Sequence, residues 1–249
     1  MEVDPRSSLA IDDGYLGVYR GGMLQKGPIN ASWDALNTVR LVLKSNELPM
    51  TGMYPLLRAG IENAALAVWT LHPLARDERL SRLFKLIAGE SHDQSRYSTT
   101  TGGNSKGLRK KMDDNLRKLI AARFGVEAEK AIFDPNSRRI SDILSYCDSV
   151  MPSPDNTSKF GSALAYWQLF SGLSHGKQWA FIATLDRSGA VVNAEKEMAQ
   201  LKQTSSTRVI AVGLSKGLKV LEFALQCFGQ RARAWTAQPE DAEEPNFRL

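Results

Sequence analysis

Arg58 and Glu62 stand four residues apart in an otherwise apolar stretch, Leu56-Leu57-Arg58-Ala59-Gly60-Ile61-Glu62-Asn63-Ala64-Ala65-Leu66-Ala67-Val68-Trp69. On a helix that spacing brings a guanidinium and a carboxylate onto one face, within pairing reach. A second apolar stretch, Tyr166 to Trp179, carries Gln168, Ser171 and His175 at steps of three and four. A histidine titrates near neutrality and can take or give a proton, while an arginine can steady a developing negative charge. Apolar helices are normally buried, so each of these polar groups needs a partner or a task.

The elements that must hold them are helical. Leu57, Ile61, Ala64, Val68 and Leu71 recur at steps of four and three, which predicts a helix from about Met53 to His72, with Pro73 just beyond its end. Gly161, Ala165, Gly172 and Gly176 fall within about 60° of one another on a 3.6-residue wheel. That stripe of small residues predicts a long second helix, about Thr157 to Ala183, approached closely by a neighbour, with Gln168, Ser171 and His175 bordering the crossing.

The same periodicity predicts helices over about 30–46, 75–97, 106–124, 127–132, 140–150 and 206–235. In the second of these Leu80, Leu83, Phe84 and Ile87 point inward, and Arg76, Asp77, Arg79, Arg82 and Lys85 outward. In the last, Ile210, Leu214, Leu218, Leu221, Leu225 and Phe228 form the buried face. One stretch, Leu185 to Val192, reads as a turn with a short extended segment. The class is therefore all-α: an elaborated helical bundle with at most one very short extended segment, its two polar-striped helices central and roughly antiparallel. Residues 1–29, rich in glycine, read as a loosely ordered lead-in, 30–235 as one helical domain, and 236–249 as an acidic disordered tail.

Composition narrows the function classes. The 249 residues are 43% hydrophobic and 24% charged, which excludes disordered, collagenous and coiled-coil chains. No apolar run reaches the ~20 residues of a membrane span, and the amino-terminal segment is polar, so the expectation is a cytoplasmic protein with no membrane association. Cys147 and Cys227 sit in apolar-periodic segments and read as small buried hydrophobes. Three histidines without clustered cysteine or histidine spacing predict no metal site, and no cofactor motif is present. His72, beside Pro73, is expected to cap carbonyls at a helix end, and His92 to face solvent.

Net charge is +5; the tail carries −3, leaving +8 on the remainder. The strongest basic run is Lys106, Arg109, Lys110, Lys111, Arg117, Lys118 and Arg123, interrupted by Asp113 and Asp114. Two readings stand for it, a solvated helix face or phosphate contacts with nucleic acid. Two readings stand likewise for Arg58 and Glu62. Arginine before glutamate is the poorer order for helix support, so the pair either fixes helix register in a buried setting or belongs to a site.

Arg58-Ala59-Gly60-Ile61-Glu62-Asn63-Ala64-Ala65 and Ser171-Gly172-Leu173-Ser174-His175-Gly176 together resemble uncharacterised bacterial all-helical proteins with an R-x3-E-N-A helix and a later S-G-x-x-H-G helix. Such proteins look distantly similar to the HEPN superfamily, helical bundles that include RNA-cleaving toxins and antiviral proteins. The resemblance covers about residues 30–235 in helix order. It implies a bacterial stress or defence setting, an RNA or protein partner, and pairing of two copies.

Ribonuclease-active members use an arginine separated from a histidine by four to six residues. Here Phe170, Leu169 and Gln168 occupy those positions before His175, so the arginine is absent. The resemblance then supports a degenerate, non-catalytic member that binds through Asn63, Gln168, Ser171, Lys106, Arg109 and Lys110. The alternative is a metal-independent endoribonuclease in which His175 activates a ribose 2′-hydroxyl, Arg58 stabilises the transition state and Glu62 assists. That alternative requires Arg58, Glu62 and His175 to converge.

Overall fold

A computed structural model describes residues 2–19, 21–45, 49, 51–103, 106–152, 161–184, 191–193, 198–200 and 206–234. Their helices are α1 (Ser8–Leu16), α2 (Gly21–Lys44), α3 (Met53–Leu71), α4 (Arg76–Thr100), α5 (Lys106–Phe124), α6 (Ala128–Phe133), α7 (Ile140–Val150), α8 (Ala163–Ser174), α9 (Gln178–Thr184) and α10 (Thr207–Ala232), with 3-10 turns at Gly17–Tyr19 and Pro135–Arg138. Strands β1 (Val191–Asn193) and β2 (Met198–Gln200) pair antiparallel over three residues. The class is all-α, and no helix among the described residues is long and apolar enough to cross a membrane.

The helix α3 is the axis of the main core. Leu57, Ile61, Ala64, Ala65, Val68 and Leu71 are wholly buried against α2, α10, α8 and α7. Two glycines on α10 and one on α3 allow this density. A Cβ on Gly60 or Gly217 would lie 2.5 Å or 2.7 Å from the Leu36 side chain, so Leu36 of α2 is seated between two glycine backbones. A smaller core joins Leu16 of α1, Leu80, Leu83, Phe84 and Ile87 of α4, Leu116 and Ile120 of α5 and Ile132 of α6.

Four expectations change. Residues 1–29 are not a loose lead-in over the described part. Ser7 caps α1 by accepting from the Ala10 N–H at 3.2 Å, and Leu9, Asp12 and Leu16 are buried. Gly17, at φ 58°, turns the chain, and the Asp13 carboxylate accepts from the Gly22 N–H at 2.8 Å, so α2 starts at Gly21 and continues through Pro28. The Asp4 N–H donates to the Ala232 carbonyl at 2.8 Å, fastening this segment to the end of α10. Gly17 is a turn position and Gly21 and Gly22 start α2, whereas Gly14 and Gly27 lie within helices.

The long second helix is two. Gly176, at φ 64°, closes α8 after His175, and α9 folds back on it. A Cβ on Gly172 would meet the Trp179 ring at 2.6 Å and the Ala180 Cβ at 2.8 Å, so the close neighbour at the small-residue stripe is α9. Arg79 and Arg82 of α4 face inward, 1% and 8% exposed, because backbone carbonyls and Asp12 await them there. On α10, Leu218 and Leu225 are exposed, and the buried face is Ile210, Gly213, Gly217, Val220, Leu221, Ala224, Cys227 and Phe228. The expected acidic tail, 236–249, lies outside the described residues.

Candidate functional site

Arg58 and Glu62 project from the flank of α3 that faces α8. The two helices run antiparallel there: Trp167 reaches Glu62, and one turn later Phe170 stacks on Tyr54 with ring centres 5.9 Å apart. The Trp167 indole N–H donates to Glu62 Oε2 at 2.7 Å. Arg58 Nε lies 3.5 Å from the same oxygen, and the guanidinium carbon sits 5.2 Å from the centre of the Trp167 ring. Three side chains thus interlock: the carboxylate holds the indole, and the arginine covers the indole face while being drawn to the carboxylate.

Burial sets the worth of this arrangement. The Arg58 and Glu62 side chains keep 30% and 34% of their exposure, so water screens the pair and its Coulomb gain is about 1 kcal/mol or less. Arg58 Nε is nevertheless sealed from solvent and makes no hydrogen bond, since 3.5 Å and its direction do not suffice. The guanidinium is therefore incompletely satisfied, held by an aromatic face and a single distant carboxylate oxygen. Such a group can accept a further anionic or planar ligand on its open side.

The other residues of the sequence reading do not join this cluster. Asn63 turns its amide back to the Ala59 carbonyl at 2.9 Å, within its own helix. Gln168 is exposed and Ser171 half-buried on α8. His175 is the exposed C-cap of α8, its backbone N–H donating to the Ser171 carbonyl at 3.1 Å. It stands eight residues beyond Trp167, about 12 Å along the helix at a rise of 1.5 Å per residue. Because α8 is antiparallel to α3, that displacement leads from the level of Glu62 toward the N-terminal end of α3. No hydrogen bond or ion pair joins its ring to Arg58 or Glu62 among the described residues.

The basic run of α5 is largely neutralised. Arg109 Nε is 3.3 Å from Asp113, which also accepts from the Ser91 hydroxyl at 2.8 Å. Arg117 pairs with Glu129 and lies over the Phe133 ring, and Arg123 pairs with Asp77 and lies over Tyr15. Lys110, Lys111 and Lys118 are exposed; the side chain of Lys106 lies outside the described residues. Ser95, Thr99, Arg109, Lys110, Asp113, Asp114 and Arg117 border an open cleft of about 440 Å³ between α4 and α5. Two of its three cations are already paired, Arg109 with Asp113 and Arg117 with Glu129, which leaves Lys110 as its exposed lysine.

Neither a family model, nor a curated protein, nor a solved structure corresponds to this chain. Among the described residues no three His, Cys, Asp or Glu side chains gather in a metal-holding group.

The sequence reading missed the largest polar assembly, at the C-terminus of α3. Asp12 of α1 accepts from Arg79 Nε at 2.8 Å and Nη2 at 3.2 Å, and from Arg76 Nε at 3.1 Å. Arg79 Nη1 donates to the carbonyls of Pro73 and Leu74 at 3.1 Å and 2.7 Å. Arg231 of α10 donates to those of Leu71, His72 and Pro73, and Arg82 to that of Trp69 at 2.5 Å. Three arginines thus satisfy the carbonyls that a helix end leaves open, at its negative pole. His72 does not cap carbonyls; its Nδ1 meets the Tyr146 hydroxyl at 2.9 Å. Burial, then Arg231 and Arg82, lower its pKa from the ordinary 6.5. The only sequence signal for this assembly is the four-arginine density on α4 and α10, which periodicity alone assigns to solvent.

Proposed function

We propose that this chain is a non-catalytic binding protein, a degenerate HEPN-like member of a bacterial stress or defence system, that recognises single-stranded RNA at the Arg58–Glu62–Trp167 cluster. The observation that carries the reading is the Arg58 guanidinium, laid on an indole, a third exposed and short of hydrogen-bond partners. A guanidinium so placed offers a flat cation for a base to stack on and donors for a phosphate. Glu62 has a positioning role, through its acceptance of the Trp167 N–H. Gln168, exposed on the next residue, supplies an amide at the rim.

Cleavage is not part of the proposal. The residue suited to proton transfer, His175, sits about two turns of α8 beyond Trp167, and no contact among the described residues links its ring to Arg58 or Glu62. Lys110 and the exposed lysines of α5 add long-range attraction for the RNA backbone.

The test is fluorescence anisotropy of a labelled single-stranded RNA over a salt series. Affinity should fall as salt rises, and Trp167→Ala should weaken binding by about 5- to 150-fold, the range for loss of one stacked base. Lys110→Glu should lower the affinity less and reduce the salt slope. RNA added to His175→Ala and to the parent should remain equally intact. Absence of binding, or binding indifferent to both Arg58→Ala and Trp167→Ala, overturns the reading.

A further inference from the structure

The Glu62 carboxylate has one oxygen engaged and one to spare. Oε2 accepts from the Trp167 indole N–H at 2.7 Å and lies 3.5 Å from Arg58 Nε. Oε1 has no hydrogen-bond partner among the described residues and is not sealed from solvent; the side chain keeps 34% of its exposure. The carboxylate therefore stands at the edge of a layered pair, indole below and guanidinium above, with the guanidinium carbon 5.2 Å from the ring centre. A flat ligand laid on the open face of Arg58 brings its own edge toward an acceptor that is charged and unused.

Such an acceptor discriminates between bases. An ionised carboxylate accepts hydrogen bonds and donates none. Guanine is the one common base with two donors side by side on its Watson–Crick edge, the ring N1–H and the amino N2–H2. Adenine and cytosine each offer one amino group beside a bare ring nitrogen, whose lone pair would face the carboxylate. Uracil offers a single N3–H between two carbonyl oxygens, which a carboxylate repels. Stacking on the Trp167–Arg58 platform is open to all of them, because every base has a π face. Stacking thus supplies affinity, and the edge contact supplies choice.

On the reading that this cluster takes single-stranded RNA, we infer that it selects guanine, stacked on the Arg58 guanidinium with its N1–H and N2–H2 donating to Glu62 Oε1. Glu62 then has two tasks on one carboxylate: Oε2 fixes the indole, and Oε1 reads the base. A bidentate base contact separates the right base from a wrong one by about 5- to 150-fold. The low end applies here, since water reaches a carboxylate that is a third exposed and competes for its hydrogen bonds.

Fluorescence anisotropy of the full chain with a short labelled oligocytidine, varied only at its central base, tests this. The RNA with central guanine should bind about 5-fold tighter than those with adenine, uracil or cytosine there. Inosine keeps N1–H and lacks N2–H2, so its RNA should bind about 2-fold more weakly than the guanine RNA. Glu62→Gln keeps an acceptor for the Trp167 N–H and replaces the free carboxylate oxygen with an amide. It should bring the ratio of guanine to adenine affinity toward one. A Glu62 needed only to hold Trp167 would instead weaken all the RNAs together and leave that ratio intact. The comparison with inosine uses the unaltered protein, so the inference stays refutable even where the variant does not fold. Equal affinity for the four bases, preference for another base, inosine bound as tightly as guanine, or a ratio that survives Glu62→Gln each overturns the inference while the RNA reading stands. Absence of binding to every one of these RNAs overturns both.

Discussion

Asp12→Ala is the sharpest test of how the fold is held together. Asp12 is 1% exposed and, among the described residues, is the only carboxylate that the buried Arg79 side chain touches, through two hydrogen bonds of 2.8 Å and 3.2 Å. Removing it leaves a guanidinium that is itself 1% exposed with its charge uncompensated. Breaking a buried pair in this way costs about 3–5 kcal/mol. The lower end applies here, because Arg79 keeps the Pro73 and Leu74 carbonyls. Against a typical total of about 5–15 kcal/mol the loss is severe. At roughly 2–4 °C per kcal/mol for a chain of this size, the melting temperature should fall by about 6–12 °C.

Urea unfolding followed by circular dichroism measures the loss. A double-mutant cycle with Arg79→Met locates it: the double variant should be more stable than Asp12→Ala alone, since no unpaired charge remains inside. A loss below about 1 kcal/mol, or strictly additive effects, would refute the assembly as the anchor that joins α1 to the end of α3.

Other outcomes follow from the same geometry. The neutral form of His72 is favoured in the folded protein, so the unfolded chain takes up the proton first, and stability should fall as pH drops below about 6.5; His72→Phe should flatten that limb in pH-dependent urea melts. Cys147, its thiol pushed up to about 12 chiefly by burial, and Cys227, raised likewise, should resist a thiol reagent in the native state and react at the rate of global unfolding. Gly172→Ala forces the Trp179 ring and Ala180 apart from α8 and should cost about 1–3 kcal/mol, with proteolysis between residues 175 and 184 rising before the rest of the chain is cut.

The helices were legible because their signal is local. A 3.6-residue apolar period marks α3, α5 and α7 nearly to the residue, and Gly125, at φ 80°, ends α5 where a glycine was expected to. The candidate site was legible in part. The four-residue spacing of Arg58 and Glu62 did signal a pair, yet its third member, Trp167, read as one more apolar residue of α8. Its contact with Glu62 spans 105 positions of sequence, and no local pattern marks it. His175 illustrates the converse. Its type suggested chemistry, but it caps α8 at the Gly176 turn, about two helical turns beyond Trp167, and no contact among the described residues links its ring to Arg58 or Glu62.

Sequence alone determined the all-α class, the burial of α3 and the presence of charges on it, since composition and periodicity act within a single helix. Only the tertiary structure decided which charges are inside. Arg79 and Arg82 obey the periodicity of an outward face, yet they are buried, because the carbonyls of residues 69–74 and the Asp12 carboxylate compensate them. An ion's place depends on the partners that meet it, and those partners come from other helices. The same reason separates Arg58, gripped by an indole from α8, from His175, whose ring no partner holds among the described residues.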